Sequence, residues 1–342
     1  MRAAGAIDAR AVSGDGPHGL AVEIAGVVLP TPLVLASGIL GTHASLMERA
    51  ARAGAGAVTA KSAGPVPRAG HPNPTCVDFG AGLLNAIGLA NPGIEAEAAL
   101  LAETRRALEP LGARLIASVF ADTAEGFGHV AAIAAQAGPH MIELNISCPN
   151  VGSELGEPFA VSCSGAAAAT AAARAAVGVP LIVKLAPNVP DIAAVARAAV
   201  DAGADAICAV NTMPGMLVDA ESGQPVLANR SGGISGAALH PVALHAVYHI
   251  AAAVDVPVIG TGGVASAEDV VAMLSAGATA VGIGSAVYLH GPEVFERVLQ
   301  ELEAWLAARG TTLAAVRGRA HRRAEWPEGP SVPPVPAAGH QP

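Results

Sequence analysis

Short apolar runs recur along the chain, each closed by glycine, serine, asparagine or lysine and followed by a stretch with helical spacing. Runs of four to eight apolar residues bounded by turn formers read as buried strands, and longer segments with apolar residues at i, i+3 and i+4 read as helices. Leu20–Ile24 and Val27–Leu29, split by Ala25-Gly26, predict a hairpin. Eight strands are then predicted at 33–36, 57–60, 115–119, 141–144, 181–184, 206–210, 256–259 and 280–283. Helices are predicted between and after them at 46–53, 94–108, 124–136, 166–177, 191–202, 241–254, 267–276 and 292–308. The helix at 94–108 is expected to turn Glu95, Glu97 and Glu103 to solvent, and Asp191 to cap its own helix. Residues 64–92 and the glycine-bearing stretch after 212 read as loops.

Eight βα units match the (β/α)8 TIM barrel, for which ~250 residues is typical. A doubly wound open sheet competes, but no GxGxxG follows the first strand. The predicted fold is therefore α/β: a TIM barrel with an N-terminal β-hairpin and a disordered Pro-rich C-terminal tail. The expected division is a flexible N-terminus over 1–18, a barrel over 19–315 and the tail over 316–342.

Composition narrows the partners. Hydrophobic residues make up 52% but aromatics only 3%, so alanine, valine and glycine must form the core. A net charge of −9 argues against nucleic acid as a partner. The most apolar region, 192–210, carries Arg197, Asp201 and Asp205, so a membrane span of ~20 apolar residues is not expected. The first residues lack the apolar core of a secretory signal, and the four cysteines (Cys76, Cys148, Cys163, Cys208) form no CxxC pair. A cytoplasmic protein without a bound metal is expected.

In a barrel of this kind the chemistry stands at the C-terminal ends of the strands. Those ends carry Ser37, Lys61, Ser118, Asn145 with Ser147 and Cys148, Lys184, Asn211, Gly262-Gly263 and Gly284-Ser285. Gly260-Thr-Gly-Gly263 and Gly282-Ile-Gly-Ser285 expose backbone N–H groups after the last two strands, where a phosphate site recurs in this fold. Lysines are rarely buried unless paired, so Lys61 and Lys184 at one mouth point to an anion beside them. Glu143 lies inside its strand and reads as a cross-strand hydrogen-bonding partner; His71 receives no role. A thiol remains for proton transfer, and Asn85, Asn145, Asn150 and Asn211 suit the edges of an amide-bearing ring.

From about Leu20 to Arg309 the chain resembles the class 1 dihydroorotate dehydrogenases. The motifs that carry the resemblance include Ala36-Ser-Gly38, Lys61-Ser62, Gly70-His-Pro-Asn-Pro-Thr75, Asn85-Ala-Ile-Gly-Leu-Ala-Asn-Pro-Gly93 and Glu143-Leu-Asn-Ile-Ser-Cys-Pro-Asn150. Val183-Lys-Leu-Ala-Pro-Asn188, Asn211-Thr212, Leu227-Ala-Asn-Arg-Ser-Gly-Gly-Ile-Ser-Gly236, Gly260-Thr-Gly-Gly263 and Gly284-Ser285 follow in order. The resemblance implies oxidation of (S)-dihydroorotate to orotate in pyrimidine biosynthesis with FMN as cofactor. It implies Ser37, Lys61, Ser62, Ser118, Asn145, Lys184, Val210, Gly236, Gly262, Gly263, Gly284 and Ser285 around FMN. It also implies Lys61, Asn85, Ala86, Ile87, Gly88, Leu89, Asn145, Asn150, Asn211 and Thr212 around the pyrimidine, with Cys148 as the base at C5. The stretches at Asn85, Asn211 and Leu227–Gly236 are most similar to subtype 1B. That subtype works with a second subunit carrying FAD and a 2Fe–2S cluster, passing electrons to NAD. A homodimer or heterotetramer is the corresponding expectation. One position departs: Ser118 stands where subtype 1B members usually carry an asparagine touching FMN.

Two other functions compete. A dihydropyrimidine dehydrogenase-type pyrimidine reductase shares the barrel and flavin but usually has histidine after Ser-Cys-Pro, where this chain has Asn150, and its acid–base cysteine lies further along the loop. Cys163 stands at roughly that distance and reads instead as a buried thiol beside an alanine-rich helix. A non-catalytic flavin-binding subunit is the other, and intact Lys61, Asn145, Cys148 and Lys184 count against it.

Overall fold

A computed structural model of the chain describes residues 19–147 and 159–322. Strands β1 (Val22–Ile24) and β2 (Val27–Leu29) pair antiparallel as the predicted hairpin. Its turn places Ala25 at φ 50° and Gly26 at φ 80°, the left-handed pair that two-residue hairpins favour. The barrel strands are β3 (Leu33–Leu35), β4 (Ala57–Thr59), β7 (Arg114–Val119), β8 (Met141–Asn145), β9 (Leu181–Leu185), β10 (Ala206–Ala209), β13 (Val258–Thr261) and β14 (Ala280–Ile283). Each pairs in parallel with its neighbours, and β14 returns to β3, closing the barrel. Parallel strands buried on both faces need no polar alternation, which is why they stood out as apolar runs.

Two hydrophobic layers result. The larger one, with Leu35, Val58, Leu115 and Leu144, meets the ring of helices. The lumen layer holds Val34, Ile116, Met141 and Ile182 together with Ile24 and Leu29 of the hairpin. Arg114, at the start of β7, donates from Nε to the Val28 carbonyl at 2.7 Å. The hairpin therefore plugs the N-terminal end of the barrel and leaves the opposite end for chemistry.

Four short strands lie where loops were expected. β5 (Cys76–Asp78), β6 (Leu83–Asn85), β11 (Met213–Gly215) and β12 (Gly232–Ser235) form an antiparallel sheet in the order β11-β12-β6-β5. β5 and β6 form a local hairpin, but β6 and β12 pair across 148 residues, and no local pattern announces that partner.

The helices follow prediction closely at Ile94–Leu108, Ala124–Gln136 and Ile192–Asp201, the last capped by Asp191, which accepts from the Ala194 amide at 2.9 Å. Glu97 corrects the expected wet face: it is buried in line with Ile94, Leu101, Thr104 and Leu108, while Glu95 and Glu103 are exposed. Its position, three after Ile94 and four before Leu101, turns it inward. An additional helix, Ser285–His290, precedes Val294–Ala308. Past residue 315 the chain still packs on the barrel: Val316 is buried, Arg319 Nε donates to Ser275 Oγ at 2.8 Å, and His321 stacks on Tyr248. No helix among the described residues is long and apolar enough to cross a membrane.

Candidate active site

Strand register builds the floor of the site. Ser118 on β7 lies opposite Glu143 on β8, Asn145 on β8 opposite Lys184 on β9, and Lys184 opposite Cys208 on β10. Alternation along β8 turns Glu143 and Asn145 to the side that buries Met141 in the lumen. Glu143 and Lys184 are only 3% and 6% exposed, with Nζ and Oε1 4.0 Å apart. The predicted cross-strand role of Glu143 is met on both sides, because Ser118 Oγ also donates to Oε1 at 2.9 Å.

That donor fixes the rest of the chain of hydroxyls. A carboxylate only accepts, so the Ser118 proton is committed to Glu143. The Ser62 hydroxyl, 2.8 Å away, then donates to Ser118 and accepts from Asn145 Nδ2 at 3.0 Å. Ser37 donates to the Ala60 carbonyl and lies 3.3 Å from Ser62. Ser118 thus spends its hydroxyl on Ser62 and Glu143. Cys208 sits beside the ion pair, 3.8 Å from Thr261 Oγ1. Burial, with help from the Glu143 charge, pushes its thiol up to about 12, so it stays neutral and inert.

Above the floor, asparagines meet. Asn211 Nδ2 lies 3.0 Å from Ser147 Oγ and 3.4 Å from Asn145 Oδ1, while Asn211 Oδ1 accepts from the Thr212 amide at 2.8 Å. Gly233 pairs with Asn85 across β12 and β6, and Asn85 Nδ2 donates to its carbonyl at 3.2 Å. A Cβ at Gly233 would stand 1.9 Å from Thr212 Oγ1, so the lid sheet packs Gly233, the partner of Asn85, directly against Thr212. Ala86 to Leu89 continue from β6, with Ile87 at the surface and Leu89 buried. His71, given no role from sequence, holds this stretch: its amide donates to the Ile87 carbonyl at 3.1 Å and Nδ1 lies 3.2 Å from the Ala86 carbonyl. A histidine beside prolines carries no signal of such a contact.

The glycine loops converge as well. Gly236, Gly262 and Gly263 adopt φ of 87°, 146° and 69°, which side chains rarely tolerate. A Cβ on Gly263 would stand 2.6 Å from the Gly236 carbonyl, and one on Gly236 would stand 3.6 Å from Ser285 Oγ. Gly284 precedes the helix that Ser285 begins, and Val210 closes the ring by donating its amide to the Thr261 carbonyl at 2.9 Å. His240 Nδ1 lies 2.9 Å from the Gly262 carbonyl and supports the loop from behind.

The two lysines prove unlike. Lys184 lies within β9 and pairs with Glu143, whereas half-buried Lys61 follows β4 and acts on the carboxyl of Glu97. Cys148 and Asn150 lie outside the described residues. The chain is pinned close to them, since the Ala160 amide donates to the Ile146 carbonyl at 3.0 Å. Cys163 is not a buried thiol: it is exposed as the first residue of the helix Cys163–Ala176, which Ser162 caps. The cap starts that helix earlier than its alanines do.

A family model described as dihydroorotate dehydrogenase matches residues 19–306. A Methanosarcina mazei protein named "Dihydroorotate dehydrogenase B (NAD(+)), catalytic subunit" is 45% identical over 308 residues, covering 88% of this chain and 95% of the relative. Proteins of the same name from Methanocaldococcus jannaschii and Bacillus pumilus are 40% and 41% identical. They cover 88% and 85% of this chain, and 98% and 93% of their own lengths. With its closed barrel, its mouth of amides over a buried ion pair and this extent of similarity, the chain belongs to the dihydroorotate dehydrogenase family.

Proposed function

We propose that this oxidoreductase, which oxidises dihydroorotate to orotate, does so as the FMN-binding catalytic subunit of a B-type enzyme. The family is flavin-dependent. The observation that carries the reading is the set of contacts in which Gly233 joins Asn85 to Thr212, and Thr212 leads through Asn211, Asn145, Ser62 and Ser118 down to the Glu143–Lys184 pair. The donor set fits FMN. Positive-φ glycines at 236, 262 and 263 let their loops pack together beside Ser285, where a Cβ would strike Gly82, Ala243 or Gly236, and the backbone amides of these loops would bind the phosphate. Ser37, Lys61, Ser62, Ser118, Asn145, Lys184, Val210 and Gly284 would complete its surroundings.

FMN, when bound, supplies the acceptor for the hydride that leaves C6 of the substrate. The chain's own groups do the rest. Lys184, held 4.0 Å from its carboxylate partner, offers a fixed cation where negative charge builds up. Asn85 to Leu89, Asn145, Asn150, Asn211 and Thr212 hold the amide edges of the pyrimidine, and Lys61 meets its carboxylate. Cys148 takes the proton from C5; a thiol of ordinary pKa ~8.5 serves as base once substrate excludes water. A partner subunit with FAD and a 2Fe–2S cluster would carry the electrons on to NAD; the relatives' name, an NAD(+)-linked catalytic subunit, supports the acceptor and the existence of a partner.

Anaerobic titration tests this directly. The yellow of the purified protein should bleach with dihydroorotate and not with dihydrouracil; the reverse preference would point to a pyrimidine reductase, and no bleaching to a binding subunit. Cys148→Ser should abolish the bleaching near neutral pH, and Cys163→Ser should leave most of it.

A further inference from the structure

Glu143 stands at a junction between two limbs of the site. On one side its Oε1 lies 4.0 Å from Lys184 Nζ; on the other it accepts the Ser118 hydroxyl that begins the path through Ser62 to Asn145. Fold stability gives little reason for a carboxylate here, because buried ion pairs replaced by apolar side chains of similar volume are often as stable or more so. The lumen beneath is filled by Ile116, Met141 and Ile182, and a fourth apolar residue would suit it. The carboxylate adds direction instead. It forces the Ser118 and Ser62 protons to point one way, so that the Asn145 amide must present its NH2 downward and its Oδ1 towards Asn211 and Ser147.

We propose that Glu143 is a positioning residue that sets Lys184 and Asn145 together, Lys184 by direct charge pairing and Asn145 through the Ser118–Ser62 hydroxyl relay. This rests on the reading above in which Lys184 faces the flavin and Asn145 the substrate. Ser118, the position that departs from the subtype pattern, is then part of the relay. The titratable group beside the pair on the neighbouring strand is Cys208 on β10, whose thiol is neutral.

Two variants separate the limbs. Glu143→Gln keeps the size and the acceptor oxygen for Ser118 but removes the charge. Lys184 is then unopposed and favours the more negative reduced flavin. The midpoint potential of the bound flavin at pH 6 should rise by the equivalent of a tenfold change in the reduced-to-oxidised ratio, about 30 mV for a two-electron couple. Ser118→Ala cuts the relay and leaves the ion pair. It should leave the potential in place and raise KM for dihydroorotate about tenfold, with a smaller change in kcat. Lys184→Met serves as the control. If it moves the potential while Glu143→Gln does not, or if Ser118→Ala leaves KM unaltered, the inference is overturned and the flavin assignment of Lys184 stands. If Lys184→Met leaves the potential unmoved, that assignment itself fails and takes the inference with it. Flavin absorbance and melting temperature, recorded for each variant, show that the fold is kept.

Discussion

Glu97 is buried in the helix Ile94–Leu108, and its Oε1 has no hydrogen-bond partner among the described residues. Burial pushes its carboxyl up from 4.5 to about 7, with Lys61 pulling the other way. The folded protein therefore binds this proton more tightly than the unfolded chain does. Below pH 4.5 both states are protonated; as pH rises towards 7 only the unfolded chain ionises, and stability falls. The rise in pKa sets this loss at ~3 kcal/mol. Glu97→Gln should match the parent at pH 4.5 and melt higher at pH 8, and an equal difference at both pH values would refute the account. His140 works in the opposite sense. Burial, with Arg105 and Arg114 nearby, lowers it from 6.5 to about 4, so the stability it contributes is lost as pH falls through that range. Neither shift was legible in the sequence. The sequence puts Glu97 on the wet face with Glu95 and Glu103, and only the docking of the helix turns it inward.

At the scale of elements, the lid sheet shows where local pattern stops being informative. Its strands have three or four residues, and β11 and β12 carry glycine and proline, which weaken a strand. What joins the two hairpins into one sheet is a partner distant in sequence, as with Asn85 and Gly233. Their function follows from the same contact. Gly233→Ala would drive a Cβ into Thr212, at 1.9 Å from its hydroxyl oxygen. The barrel lies outside this contact, so the melting temperature should change little. KM for dihydroorotate should rise about tenfold, a loss of ~1.4 kcal/mol. An unchanged KM would show that the lid does not position Thr212 for substrate.

For the molecule as a whole, the hairpin decides which end of the barrel is open. Ile24 and Leu29 are fully buried in the lumen layer and close its N-terminal end. Leu29→Ala removes fully buried packing from the lumen layer, and should cost about 2–5 kcal/mol. Flavin binding should survive, because the loss lies at the end opposite Lys184 and Asn145. Denaturant unfolding followed in parallel with flavin absorbance measures both; early loss of flavin with unchanged stability would contradict this division.

The barrel itself was written in the chain. Eight parallel strands buried on both faces must be apolar throughout, and the helices between them must be amphipathic, so period alone identified them. The motifs at the strand ends likewise marked Lys184, Asn145, Asn211 and the two glycine loops. Register lay beyond the sequence. A parallel pairing shifted by one residue would turn Glu143 out of the lumen and leave Lys184 without its carboxylate. Tertiary structure decided that Ser118, Glu143 and Lys184 meet, that Glu97 is buried, and that the distant Gly233 packs against Thr212. Each depends on which surfaces are covered after closure, and hydrophobic periodicity carries no record of that.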